Sequence, residues 1–280
     1  MEMRSLSANV NGVTLTGVEA GPNDGAAIVL LHGFPDFWYS WRFQIPALAG
    51  AGFHVIAPNL RGYATSSKPP RVCDYAIDLI AEDIVELIEQ KCDGRAHVVG
   101  HDWGGGIAWY LAMKHAHVID RLAILNAPHP LAFRREFFRT SQWLRSWYMF
   151  FFQLPWLPEA LLRWDGFALA RRTLRNGPAR NEEDLALYLD ALAQPRALQS
   201  MINYYRALTR SDKALLFARI DHPTLLLWGD RDPYLVRQLT EGLHGAVTNL
   251  QVMRFLQAGH WIHHDETNLV NQALVRHFRA

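Results

Sequence analysis

The chain has 280 residues, of which 50% are hydrophobic, 20% charged and 12% aromatic. That balance excludes a disordered chain, a collagen-like chain and a small disulfide scaffold, and leaves ample material for a large core. Lys plus Arg is 28 and Asp plus Glu is 27, so the net charge is +1 and no surplus points to nucleic acid or to a polycationic partner.

The opening MEMRSLSANVNGV has no apolar stretch, so no secretory signal is expected. Residues 13–20 (VTLTGVEA) alternate apolar and polar after Asn11-Gly12, as a hairpin strand would. Residues 28–31 (IVLL), 54–57 (HVIA), 97–99 (HVV), 122–125 (LAIL) and 224–228 (TLLLW) are short apolar runs without alternation. Such runs suit strands of a parallel sheet buried on both faces. Between them, 78–90 spaces its apolar residues at 79, 80, 84, 87 and 88, one face of a helix. Residues 105–114 and 269–278 also read as helices, and 250–256 as a strand. Strand alternating with helix predicts an α/β fold.

Residues 131–212 break that rhythm. They hold 12 Arg, no Lys, 8 acidic residues, four Trp and seven Phe, and no strand-like aliphatic run. Segments 182–192 and 198–208 read as helices. A helical insertion at 131–212 is therefore expected within one core domain made of 1–130 and 213–280. Its most apolar run, 147–158 (WYMFFFQLPWLP), contains Pro155 and Pro158. It falls short of the ~20 residues a membrane span needs. The two cysteines, Cys73 and Cys92, form no C-x-x-C pair, and a reducing, cytoplasmic compartment is the expectation.

Gly100-His101-Asp102-Trp103-Gly104-Gly105 follows a strand and opens a helix. Small residues flank a central Asp102, the pattern of a nucleophile elbow whose usual occupant is Ser. Asp102 capping the next helix is the plainer reading, and the motif alone leaves both open. His32-Gly33-Phe34-Pro35 also follows a strand. With these two motifs the chain resembles the α/β-hydrolase superfamily. The resemblance implies a mostly parallel central sheet flanked by helices, with 131–212 as a cap. It also implies a loop of His32, Gly33 and Pro35 that sets the Phe34 amide. Together with the Trp103 amide, this makes an oxyanion hole. The family order of nucleophile, acid and histidine then falls on Asp102, Asp232 and His260. Asp232 lies in GDRDP at 229–233, with Asp230 as its local competitor, and His260 lies in GHW at 259–261. His263 and His264 follow closely, but the spacing fits no zinc pattern. They are expected on an exposed turn or at the start of the last helix. No metal or cofactor is expected.

An Asp nucleophile would give a labile anhydride from an ester, but a stable alkyl ester by displacement at saturated carbon. Epoxides and organohalides fit that chemistry. Asn203-Tyr204-Tyr205-Arg206 is similar to the N-(W/Y)-Y-R motif of epoxide hydrolase caps, which assigns Tyr205 to ring opening. Tyr148, shortly before Phe152-Gln153-Leu154-Pro155, matches the second ring-opening Tyr. The resemblance thus implies a cofactor-free epoxide hydrolase acting on an apolar epoxide with water. Each Tyr could instead be a packing aromatic. The stretch 58–69 departs from the family's D-x-R-G-x-G-x-S, with Asn59 for Asp and Ala64 for Gly, and Arg61 is expected to make structural contacts there.

A haloalkane or haloacetate dehalogenase with the same Asp-His-Asp set is the alternative. Against it stand the Tyr pair, Phe34 where haloalkane dehalogenases often place Asn, and the lack of Arg just after Asp102. A non-catalytic receptor or carrier on this fold is the alternative of another class, disfavoured by the intact Asp102, Asp232 and His260. No nucleic acid or membrane-spanning partner is expected. The aromatic run 147–158 leaves a homodimer open.

Overall fold

The computed structural model describes residues 2–210 and 217–280, and it opens on a two-stranded ribbon. β1 (Met3–Val10) and β2 (Val13–Ala20) pair antiparallel from Met3↔Ala20 to Val10↔Val13. The Asn11-Gly12 turn takes positive φ at both positions, as tight hairpins require. In β1, Leu6, Ala8 and Val10 alternate inward against exposed neighbours.

The remaining strands are β3 (Ala27–Leu31), β4 (His54–Pro58), β5 (Ala96–His101), β6 (Ile119–Leu125), β7 (Thr224–Gly229) and β8 (Leu250–Phe255). They form one sheet in the order β1-β2-β4-β3-β5-β6-β7-β8. β2 meets β4 antiparallel, and every pair from β4 to β8 is parallel. Helices α1 (Gln44–Gly50), α2 (Ile77–Lys91) and α3 (Trp103–Lys114) fall between strands. Among the described residues, six helices separate β6 from β7: α4 (Pro130–Glu136), α5 (Gln142–Arg145), α6 (Trp147–Phe151), α7 (Leu157–Arg175), α8 (Glu182–Ala193) and α9 (Ala197–Leu208). α10 (Ile262–Asp265) and α11 (Thr267–Arg279) close the chain.

The side-chain alternation of β3 shows how two cores arise. Val29 and Leu31 join α2 and α3 on one face, whereas Ile28 and Leu30 join α1 and α11 on the other. The continuous apolar runs are therefore strands covered on both faces, and the α/β-hydrolase architecture holds.

Some boundaries differ from the sequence reading. α3 begins at Trp103, two residues before 105, because Gly104 and Gly105 are carried inside the helix. α7 is broken by non-helical backbone at Trp164, Asp165, Gly166 and Phe167, a kink not anticipated from the sequence. The expected return to the core at 212–213 lies outside the described residues. Among the described residues no helix is long and apolar enough to cross a membrane.

Candidate active site

The parallel strands end on one edge of the sheet, and the candidate residues hang from those ends. His32 to Pro35 follow β3, Asp102 follows β5, Asn126 follows β6, Asp232 follows β7 and His260 follows β8. Positions scattered over 229 residues of sequence thus meet in one place.

Asp102 sits at φ 52°, ψ −119°, a region costly for a non-glycine residue by ~1–3 kcal/mol. Two glycines make the elbow sterically feasible. A Cβ on Gly104 would collide with the Leu31 carbonyl, and one on Gly33 would collide with the Asp102 carboxylate. Although Asp102 stands at the N-cap of α3, its side chain makes no capping bond. The carboxylate instead accepts hydrogen bonds from the Phe34 amide at 2.7 Å and from the Trp103 amide. The strained turn therefore directs the carboxylate outward, which helix capping does not require.

His32 braces this loop. Its Nδ1 lies 3.0 Å from the Gly33 carbonyl and its Nε2 accepts the Leu60 amide at 3.0 Å. The Phe34-Pro35 peptide is cis. On the far side, His260 Nδ1 is 2.7 Å from Asp232 Oδ2, and its Nε2 is 3.7 Å from Asp102 Oδ2. Asp232 is buried and fully engaged: Oδ1 accepts the Tyr234 and Leu235 amides at 2.7 and 3.0 Å, and Oδ2 accepts Asn126 Nδ2 at 2.7 Å. Asp230, its local competitor, pairs instead with Arg254 of β8.

The tyrosines come from α6 and α9. Tyr205 packs edge-on against Trp103 and Phe34, with ring centroids 5.0 and 5.5 Å apart, and against Tyr148 at 5.8 Å. The motif around it does the positioning. Tyr204 Oη donates to the Arg61 carbonyl at 2.6 Å, fixing α9 to the core. Arg206 donates to the Phe152 and Leu154 carbonyls and pairs bidentately with Glu159, and Gln153 donates to the Tyr205 carbonyl. Phe152, Ile202 and Tyr205 form an apolar cluster against Phe34, Trp103 and Tyr148. One wall of the site is thus strand-end loops and the other is aromatic.

The chain matches the α/β-hydrolase fold family over residues 26–267. It is 40% identical to the AB hydrolase superfamily protein YfhM of Bacillus subtilis, covering 97% of this chain and 96% of that protein. It is 31% identical to epoxide hydrolase A of Mycobacterium tuberculosis, covering 95% and 94%. A mutant epoxide hydrolase from Bacillus megaterium, solved with its naphthyloxy-propane-1,2-diol product, superposes with a TM-score of 0.90 at 30% identity, covering 98% and 100%. The chain belongs to the epoxide hydrolase branch of the α/β-hydrolases.

In this α/β-hydrolase the electrostatics follow from burial and from three carboxylates. Burial raises the Asp102 pKa, against the His260 charge and the Phe34 and Trp103 amides, which lower it. Burial pulls His260 down, but the charge and hydrogen bond of Asp232, with Asp102 and Asp36, override it and push the imidazole up to about 9. Burial, then the Asp102 charge, raises both Tyr148 and Tyr205, so both phenols stay protonated.

The sequence reading gave no role to several residues that shape this site. Asn126 holds Asp232 and also accepts the Gly229 amide at 2.9 Å. Asp36 is buried, accepts Trp261 Nε1 at 3.0 Å, and is pushed up to about 7 by burial. His101 is 3.0 Å from the His260 carbonyl. His263 and His264 correct an expectation: both are buried in α10, next to Ser40 Oγ at 2.9 and 3.4 Å. Among the described residues, no group of three His, Cys, Asp or Glu is placed to hold a metal ion. Asn59 and Ala64 keep the loop after β4 in a different way. Asn59 accepts the Trp38 amide and donates to Thr16 Oγ1, and Ala64 takes φ 42° where the family pattern has Gly.

Proposed function

We propose that this chain is an epoxide hydrolase that opens an apolar epoxide through a covalent alkyl ester on Asp102. The observation that carries the reading is the orientation of Asp102. Its carboxylate is turned off the helix end, held by two amides, and faced by two protonated phenols. One Asp102 oxygen attacks an epoxide carbon as the C–O bond breaks, and Tyr205 with Tyr148 gives the proton the leaving alkoxide needs. The phenols remain neutral until that strongly basic oxygen forms.

The ester is then hydrolysed. His260, oriented by Asp232, takes a proton from water as the hydroxide adds to the ester carbonyl of Asp102. Collapse breaks the bond from that carbonyl carbon to the diol oxygen, which takes the proton back from His260. The proton lost as Asp102 re-ionises restores the phenol. The Phe34 and Trp103 amides, already bonded to that carboxylate, bind the oxyanion. Alkylation removes the Asp102 charge, one of those that keep His260 protonated, so the first step readies the base for the second. A cavity of about 430 Å³ beside Tyr234, His260 and Trp261 gives a polar approach to the base.

We assign helices α4–α9 the role of a cap over the strand ends, with 131–212 as its sequence extent. The substrate class is an apolar epoxide, on the strength of the aromatic wall. The cytoplasm is the proposed compartment, supported by two free cysteines. The test is incubation with styrene oxide and with 1-chlorobutane, following diol and chloride. Diol from the epoxide is expected. Chloride release with no diol from a panel of epoxides would make it a dehalogenase, and neither product would leave a receptor or carrier.

A further inference from the structure

From the end of α4 to the start of α7 the chain turns an aromatic surface to solvent. Phe138 is 82% exposed, Trp147 63%, Phe150 62% and Trp156 72%. Lone exposed apolar residues are ordinary, but a run of this size marks a contact surface. The rings are linked: Phe138 to Phe137 at 4.8 Å, and Phe137 to Phe150 at 6.3 Å. A second file leads inward from Trp147 to Phe151 at 6.0 Å, Phe151 to Phe152 at 6.0 Å, and Phe152 to Tyr205 at 5.0 Å.

Trp156 lies in a groove with Arg163, Arg196, Arg206 and Arg210, and Glu159 is the one carboxylate lining it. Arg206 already binds that carboxylate with two nitrogens. Among the described residues the other three arginines have no carboxylate in the groove.

We infer that this aromatic, arginine-rimmed face rests on an anionic lipid surface, from which apolar substrate passes along the Phe151 and Phe152 rings toward Tyr205. Charge complementarity selects the occupant. A two-fold contact between copies would be self-facing and would bring the same unmatched arginines together. Anionic headgroups supply the missing charge, and Trp beside Arg is the composition that settles at a membrane interface. The delivery route rests on the reading of the pocket as an epoxide site, whereas the docking does not.

Co-sedimentation of the full chain with vesicles tests the docking, without substrate. Binding is expected to phosphatidylcholine vesicles containing a third phosphatidylglycerol, weak binding to phosphatidylcholine alone, and release by salt. Arg163→Gln with Arg196→Gln should weaken binding to the anionic vesicles by roughly thirtyfold, at the strength usual for two surface arginines. Phe150→Ser with Trp156→Ser should weaken it by about tenfold or more. Neither pair should alter turnover of a water-soluble epoxide. Equal binding to both vesicles, or none, overturns the inference. So does a dimer in sedimentation equilibrium that the Phe150/Trp156 pair converts to monomer, since the face would then belong to a second copy. Failure of epoxide turnover alone would sink the proposed function and leave the vesicle result standing.

Discussion

Asp102 carries the chemistry proposed here, and its neighbours divide the labour. Changing His260 to Gln should leave the first step and block the second, so the protein should gain the mass of one epoxide, located on Asp102. An unmodified protein with full turnover would remove His260 from the mechanism. Tyr205→Phe combined with Tyr148→Phe should slow alkylation by ~10²-fold or more, the usual worth of a general acid, as read in single-turnover kinetics. In the wild type, hydrolysis of the ester should rise with pH with an apparent pKa below about 9, because ester formation removes one of the charges that hold His260 up. A midpoint above 9 in single-turnover profiles would contradict this. Asp102, Asp232 and His260 were legible because each sits in a short motif at a strand end, in a fixed chain order. Asn126 was not. Its value comes from a partner 106 residues away, and nothing local in Asn126-Ala127-Pro128 marks it. The burial of His263 and His264 escaped notice for the same reason, since Ser40 and Gln44 of another segment cover them.

Elements were legible where burial imposed a period. The parallel strands read as apolar runs and α2 as a one-sided stripe, because each meets one fixed environment along its length. The kink in α7 had no such signal, and in the loop after β4 the sequence pointed to Arg61 as a structural contact but not to its partners. There Arg61 gives Asp83 of α2 two hydrogen bonds, at 2.7 and 2.6 Å, and bonds the Asp74 carbonyl at 2.9 Å. Arg61 and Asp83 are both buried, so removing one partner leaves an uncompensated charge. Asp83→Ala should therefore cost ~3–5 kcal/mol in urea denaturation. A loss below ~1 kcal/mol would mean that the pair contributes little. Tyr204 bonds the Arg61 carbonyl, so the same variant should also loosen α9 and slow the steps that depend on Tyr205.

For the whole molecule, near-neutral charge hides a histidine-rich interior. Burial lowers His32, His129 and His277 to about 4, and lowers His101, His263 and His264 well below the usual value. Unfolded histidines take up protons near pH 6.5 that these buried ones refuse. Stability should therefore fall as pH drops from about 6.5 toward 4, by roughly 3 kcal/mol for His32 alone. Asp36, pushed up to about 7, acts in the opposite sense and offsets part of the loss. Melting temperatures that stay flat across that window would contradict the burial pattern. The central claim is the covalent ester, and one turnover in oxygen-18 water tests it most directly. With enzyme in excess, the account predicts an unlabelled diol and one oxygen-18 in the peptide bearing Asp102. Label in the diol and none on Asp102 would show that water attacks the epoxide itself.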